Sequence, residues 1–182
     1  EPLLSGRPLP GNVDAERSVL GAILLDNTLY GQTRQLLPED LFLDSHRRIY
    51  SRMVELSETS RPIDLITLTE ELGRHKEVEA VGGVAYITSL TDGVPRRPNI
   101  EHYVRIVKDK AMLRGLIHAA SGAIAQAMDQ ADTADEVLDA AETSIFRLSD
   151  DRLGRGFLGV NEIVRESFGT IDKLYERGQR IT

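Results

Sequence analysis

The sequence contains no cysteine, which excludes disulfides, thiolate chemistry and cysteine-based zinc sites. Aromatic residues make up only 5% of its 182 residues, whereas alanine and leucine are plentiful, and strand patterns are scarce. No run approaches the roughly 20 apolar residues of a membrane-spanning helix. The N-terminus also lacks the basic segment and apolar stretch of a secretion signal. We therefore expect a helical, cytoplasmic protein that does not contact a membrane.

Motifs for nucleotide binding and catalysis are missing as well. The phosphate loop Gly-x4-Gly-Lys-Ser/Thr does not occur, and neither does the nucleophile elbow Gly-x-Ser-x-Gly. The segment Gly154–Gly159 has the letters of a dinucleotide-binding fingerprint, but it follows a helical pattern where that fingerprint needs a strand. Its glycines indicate a flexible hinge instead. We predict no catalytic residue and no cofactor-binding residue in this chain.

The histidines give no sign of a metal site. They lie far apart in the sequence, and none forms the His-x3-His or His-Glu-x2-His pair that places two ligands on one helix face. The four are His46, His75, His102 and His118. We expect them on the surface and predict no bound metal.

The net charge of -7 repels phosphate at long range and weighs against duplex DNA as a partner of this chain alone. Two basic clusters stand out, Arg47-Arg48 with Arg52, and Arg96-Arg97. Arg48 and Arg52 lie one helical turn apart, yet no aromatic residues are interleaved with them to stack on bases. We interpret both clusters as surface or subunit contacts.

Short amphipathic helices are predicted up to Asp92. They cover residues 13–25, 29–36, 45–58, 65–72 and 84–90. Asn12 or Asp14 can cap the first helix, and Asp64 can cap the fourth.

The pattern changes to long helices beyond Pro98. Asn99 can cap a helix whose apolar residues recur at helical spacing as far as Met128. Thr133 and Glu136 then form a capping-box pattern that begins a second long helix. A glycine-rich stretch and a last amphipathic helix follow. We predict an all-α protein with a compact domain at 1–98, a helical hairpin at 99–151, and a flexible hinge with a linker helix at 152–182.

The run NVDAERSVLGAILL at residues 12–25 resembles the opening helix of bacterial replicative DNA helicases of the DnaB type. Three further segments are similar to that family: RPIDLITL at 61–68, VGGVAYI at 81–87, and residues 99–110. Together these segments cover the compact region in order. The resemblance implies the N-terminal domain and linker region of a replicative helicase.

In that family a RecA-like ATPase domain follows the linker helix, and this sequence stops about where that domain would begin. The resemblance therefore implies a fragment without enzyme activity, from a parent that unwinds DNA 5'-to-3' at the replication fork with ATP and Mg. It also implies several partners. They are a second copy of the chain, a hexamer built as a trimer of dimers, the C-terminal domain of primase, a helicase loader, and single-stranded DNA bound mainly by the motor domain.

The resemblance assigns roles to particular residues. We expect self-association through hairpin residues Ile117, Ala120, Ile124, Ile145 and Leu148. We expect primase to contact the neighbourhood of Tyr86 and the hairpin. In the linker helix, the residues expected to dock on a neighbouring motor domain are Ile163, Val164, Phe168, Ile171, Leu174 and Tyr175.

Two other functions remain open from the sequence. The helices around Ser45 and Asp64 could form the reading pair of a helix-turn-helix DNA-binding regulator. The weak point of that hypothesis is that Glu70 and Glu71 would face phosphates. The second alternative is a helical adaptor unrelated to replication.

Overall fold

The structure is a computed structural model that describes residues 6–95 and 98–148. Within these residues it contains α-helices and short 3₁₀ helices and no strand, which confirms the predicted all-α class. The α-helices are α1 (Val13–Leu25), α2 (Asp44–Glu58), α3 (Leu65–Arg74), α4 (Gly83–Ser89), α5 (Ile100–Asp129) and α6 (134–148). The 3₁₀ helices are Asn27–Thr33 and Pro38–Asp40. The described residues fall into two compact units, 6–115 and 116–148.

Helix α1 is largely buried in the first unit. Val19, Leu20 and Ile23 are fully buried, and Ala15, Gly21 and Ala22 are buried with them. Asn12 caps this helix, because its Oδ1 accepts a hydrogen bond of 2.9 Å from the Ala15 N–H. The predicted first helix is thus confirmed, with the cap on Asn12.

The predicted helix at 29–36 is wrong, because the chain instead forms a 3₁₀ helix at Asn27–Thr33. Short polar side chains bond to the backbone here and compete with α-helix formation. Asp26 Oδ1 accepts from the Thr28 N–H at 3.0 Å, and Asn27 Oδ1 accepts from the Ile63 N–H at 3.2 Å. The segment is therefore held as a tight connection between α1 and α2.

Helix α2 packs against both α1 and α3 with the apolar face that the sequence predicts, and α3 also packs against α4. Ile49, Met53 and Leu56 of α2 and Leu68 and Leu72 of α3 are fully buried. The predicted cap of α3 is also confirmed. Asp64 Oδ1 accepts from the Ile66 and Thr67 N–H groups at 2.9 and 2.8 Å.

The first half of α5 belongs to the compact unit. Ile100, Val104 and Val107 are buried in its core. Arg114 is buried too, and its guanidinium donates to the carbonyl oxygens of Pro10 at 2.7 Å and Asp40 at 2.5 Å. These bonds attach α5 to the chain on either side of α1. The predicted boundaries after residues 98 and 151 stay predictions.

The second unit contains the end of α5, a short turn and α6. The predicted capping box starts α6, since Glu136 N–H donates to Thr133 Oγ1 at 3.3 Å and Thr133 N–H donates to Glu136 Oε2 at 2.8 Å. These backbone and hydroxyl hydrogen bonds lower the pKa of Glu136. In the described part of the chain, no helix has both the length and the apolar character required to cross a bilayer.

Candidate functional site

Tyr86 lies on α4, whose position is set by two glycines and two buried side chains. Gly82 and Gly83 adopt positive φ angles of 100° and 76°, which favour glycine, and they turn the chain into the helix. Ile87 and Leu90 are buried in the core and anchor the helix. The Tyr86 ring packs against the core but stays partly exposed. The residue predicted to contact primase is therefore accessible at the surface.

A buried chain of hydrogen bonds leads inward from Tyr86. Its hydroxyl lies 2.6 Å from Nε2 of His46, and Nδ1 of His46 lies 2.7 Å from Oε2 of Glu16. The side chains of His46 and Glu16 are 0% and 1% exposed. We call these three residues the Glu16–His46–Tyr86 relay. The relay joins α1, α2 and α4 beneath the surface that Tyr86 occupies.

The expectation of surface histidines is wrong for His46, whereas His75, His102 and His118 are exposed. A polar residue enters a core only when its hydrogen bonds are satisfied there, and both ring nitrogens of His46 have partners. A signal was available in the sequence. His46 precedes Ile49, Tyr50 and Met53 at spacings of three, four and seven residues, which places it on the buried face of α2.

Glu16 is held by backbone groups as well as by His46. Its Oε1 accepts from the Phe42 N–H at 2.6 Å, and its Oε2 accepts from the Leu43 N–H at 3.5 Å. Burial raises the pKa of the Tyr86 hydroxyl, an effect that the charge of Arg17 opposes and the charge of Glu16 reinforces. Tyr86 therefore keeps its hydroxyl proton at neutral pH.

The predicted surface cluster of Arg48 and Arg52 is neutralised by carboxylates. Arg48 pairs with Asp44 at 2.7 Å and with Glu77 at 3.1 Å, and Arg52 pairs with Glu55 at 2.7 Å. Contact with a phosphate would require these ion pairs to break. The other predicted cluster, Arg96-Arg97, lies outside the described residues.

A second ion-pair network joins α3 to Arg61, which lies in the connection between α2 and α3. Arg61 and Arg74 both pair with Glu70 and Glu71. The hydrogen bond from Arg61 lowers the pKa of Glu71. Within the described chain, ligand atoms of Glu55, Glu71 and His75 also lie within 4.8 Å of one another. Both carboxylates of this group are already in ion pairs with arginines, Glu55 with Arg52 and Glu71 with Arg61 and Arg74.

The residues predicted for self-association lie in the second unit, apolar and partly or fully exposed. Ala120, Ile124 and Ile145 are exposed, while Ile117 and Leu148 are half-buried. Other large apolar side chains of this unit are exposed with them, namely Leu116, Met128, Leu138 and Phe146. Between residues 116 and 148 the sequence has six carboxylates but a single arginine, Arg147. The surface thus combines apolar side chains with strong negative charge.

The predicted hinge at 152–159 and the predicted linker helix lie outside the described residues. That helix includes all six residues expected to dock on a motor domain: Ile163, Val164, Phe168, Ile171, Leu174 and Tyr175. Their assignments stay predictions from the sequence.

Comparison with known proteins gives a family match in the compact unit. A model of the DnaB-like helicase N-terminal domain family matches residues 8–109. The chain is 34% identical over 181 residues to replicative DNA helicase DnaB of Geobacillus stearothermophilus, covering 99% of this chain and 40% of that protein. It is 37% identical over 173 residues to replicative DNA helicase DnaB of Treponema pallidum, covering 94% of this chain and again 40% of the relative. The chain thus spans about 40% of the length of these curated relatives.

Solved structures agree with the family match. The crystal structure of the N-terminal domain of DnaB helicase from Mycobacterium tuberculosis matches with a TM-score of 0.73 and 29% identity, covering 77% of this chain and 99% of that one. A structure described as a DnaB-like replicative helicase and its interactions with primase matches with a TM-score of 0.65 and 22% identity, covering 77% of this chain and 31% of that one. The second likeness shows a shared fold.

Proposed function

This chain belongs to the DnaB-like helicase N-terminal domain family, and on that premise we propose that it is the N-terminal part of a replicative DNA helicase. The whole protein would unwind DNA 5'-to-3' at the replication fork with ATP and Mg bound in a motor domain beyond this chain. This part would assemble the hexamer as a trimer of dimers and recruit primase. The family match over residues 8–109 is the observation that carries the proposal.

The exposed apolar residues of the second unit support a role in assembly. Ile124 is 52% exposed and Ile145 is 47% exposed, so covering each of them would gain about half of the roughly 1.5–3 kcal/mol that burial of a fully exposed side chain provides. Water-exposed aliphatic residues clustered on helices are typical of surfaces that bind another protein. A second copy of the chain is the occupant that we propose for this surface.

Tyr86 supports a role in recruitment. Tyrosines are enriched among the residues that dominate binding energy, since they bury a large ring with little loss of rotamer freedom. The relay and the buried residues of α4 hold Tyr86 in one position before any partner binds. We propose that the C-terminal domain of primase covers this residue. Primase appears in the description of one relative with the same fold.

The linker helix is proposed to pack on the motor domain of a neighbouring subunit through Phe168 and its apolar neighbours. A helicase loader is a further proposed partner, and single-stranded DNA is proposed to bind mainly to the motor domain. The ion pairs of Arg48 and Arg52 disfavour the alternative of a helix-turn-helix regulator, because α2 then offers few free cations to phosphates.

The proposal is tested by sedimentation equilibrium of the 182-residue chain over a wide concentration range. We expect a reversible dimer, with larger species at high concentration. A chain that stays strictly monomeric would contradict the assembly role.

A further inference from the structure

The C-terminal end of α3 brings an imidazole close to two carboxylates. We propose that Glu55, Glu71 and His75 bind a divalent transition-metal ion of the Zn²⁺ type, which links α2 to α3. We call these three residues the Glu55–Glu71–His75 cluster. The inference is independent of the proposed function of the whole protein. It departs from the sequence-based prediction of no bound metal, which considered only motifs with two histidines.

The spacing of Glu71 and His75 suits a shared metal ion. The two residues are four positions apart, which places their side chains on one face of a helix, one turn from each other. The His75 N–H donates to the Glu71 carbonyl oxygen at 3.2 Å, so the helical spacing extends to His75 at the end of α3. The C-terminal end of a helix also carries a partial negative charge that favours a cation.

The distances between the ligand atoms fit a tetrahedral ion. Zn²⁺ bonds of roughly 2.0–2.1 Å to nitrogen and oxygen place neighbouring ligand atoms about 3.3 Å apart. Nε2 of His75 lies 3.4 Å from Oε2 of Glu55 and 3.6 Å from Oε1 of Glu71. The side chain of Glu71 is only 5% exposed, whereas those of Glu55 and His75 are 41% and 39% exposed, so an ion can enter from solvent.

The arginines around the cluster leave lone pairs free for an ion. Arg61 and Arg74 contact Oε2 of Glu71, while its Oε1 faces the imidazole. Oε2 of Glu55 accepts a hydrogen bond of 2.7 Å from Arg52, and a carboxylate oxygen has a second lone pair. Hydrogen bonds of this kind orient the carboxylates that bind a metal ion. The arginines can therefore stay in place when an ion binds.

The charges around the cluster also favour a cation. In the described part of the chain, four carboxylates share three guanidinium groups, namely Glu55, Glu70, Glu71 and Glu77 with Arg52, Arg61 and Arg74. Arg48 and Asp44 extend the network from Glu77 and add one charge of each sign. One negative charge is thus left over. The hydrogen bond from Arg61 lowers the pKa of Glu71, so this ligand is deprotonated at neutral pH.

Isothermal titration of the 182-residue chain with zinc chloride, after treatment with a chelator, tests the proposal. We expect a single Zn²⁺ to bind, and no binding of Mg²⁺, because an imidazole ligand favours zinc over magnesium. His75→Asn and Glu55→Gln should each weaken Zn²⁺ binding about tenfold or more, since each removes a ligand. His102→Asn is the matched control, because His102 is exposed on α5, and it should bind like the unmodified chain.

Urea unfolding with and without zinc chloride gives a second measurement. An ion that binds the folded cluster raises the urea concentration at the midpoint of unfolding. We expect this shift in the unmodified chain and in His102→Asn, and its loss in His75→Asn. The curves without zinc verify that every variant folds.

Three results would each overturn the proposal. The first is that the folded, unmodified chain does not bind Zn²⁺. The second is that His75→Asn binds Zn²⁺ as tightly as the unmodified chain, which would place the ion at another histidine. The third is that Glu55→Gln leaves binding unchanged, which would mean that the ion does not link α2 to α3.

Discussion

Gly21 of α1 packs directly against the carbonyl group of Leu90 at the end of α4. A β-carbon at residue 21 would overlap the Leu90 carbonyl oxygen and would come within 2.7 Å of Cγ2 of Val94. Neither the carbonyl nor the helix that carries it can move away easily, since Leu90 is buried in the core. The position of α4, and therefore of Tyr86, requires a residue without a side chain at position 21.

We therefore predict that Gly21→Ala destabilises the protein by about 1–3 kcal/mol, the usual effect of forcing a methyl group into a packed interior. Urea unfolding measures the change. Gly73→Ala is the matched control, because a β-carbon at Gly73 in α3 would meet nothing within 4 Å. That variant should gain up to about 1 kcal/mol from its better helix propensity. Equal effects at the two sites would contradict the packing account.

The second prediction concerns Tyr50, a buried tyrosine whose hydroxyl contacts Thr33. The hydroxyl donates to the Thr33 carbonyl oxygen at 2.9 Å and lies 3.0 Å from its Oγ1. Tyr50→Phe leaves these acceptors without a donor, so we expect a loss of about 1–2 kcal/mol in urea unfolding. The partly exposed Tyr103→Phe should change stability much less. If Tyr50→Phe leaves the free energy of unfolding unchanged, this bond does not stabilise the 3₁₀ helix at Asn27–Thr33.

The third prediction concerns pH and Glu71, whose pKa is lowered by Arg61 below its ordinary value of 4.5. Because the folded pKa lies below the unfolded one, this pair stabilises the protein above about pH 4.5 and loses its effect as the pH falls through the lowered pKa. Glu71→Gln should lower the free energy of unfolding at neutral pH. It should also make that free energy fall less steeply as the pH is lowered. Glu70→Gln, at an exposed position, should do less. If the free energy of unfolding of Glu71→Gln falls in acid as steeply as that of the unmodified chain, the stabilising role given to the Arg61–Glu71 pair is wrong.

The fourth prediction concerns the charge of the second unit. Two copies that meet there would bring together many carboxylates with few cations, so salt should strengthen self-association by screening the repulsion.

Ile124→Ser should weaken self-association, because an exposed apolar side chain is removed from the proposed contact. Ile66→Ser is the control, since Ile66 is 81% exposed but lies on α3 in the compact unit. Sedimentation equilibrium measures both effects, and equal weakening by the two variants would place the contact elsewhere.

Sequence patterns predicted the elements that depend on neighbouring residues. Each of these elements depends on residues only a few positions apart in the chain. Examples are the caps at Asn12 and Asp64, the capping box at Thr133 and the apolar face of α2. Such local chemistry is readable without a structure. The 3₁₀ helix at Asn27–Thr33 was missed because its stability depends partly on Tyr50, a residue outside its own segment.

The candidate site was predicted only in part. Tyr86 was identified from the family resemblance, but Glu16 and His46 lie 70 and 40 positions before it, and nothing in the spacing shows that they meet. Arg114 was missed for the same reason, since its acceptor on Pro10 lies 104 positions away. Whether a polar residue is buried in a core depends on hydrogen-bond partners that are distant in the sequence. A helical pattern indicates only the face of the helix on which the residue lies.

Isothermal titration of the 182-residue chain with the C-terminal domain of primase tests the account most directly, with a DNA duplex titrated in parallel. We predict saturable binding to primase, and no salt-sensitive binding to the duplex. Binding to the duplex that weakens steeply with salt, together with no binding to primase, would contradict the recruiting role and favour a DNA-binding regulator.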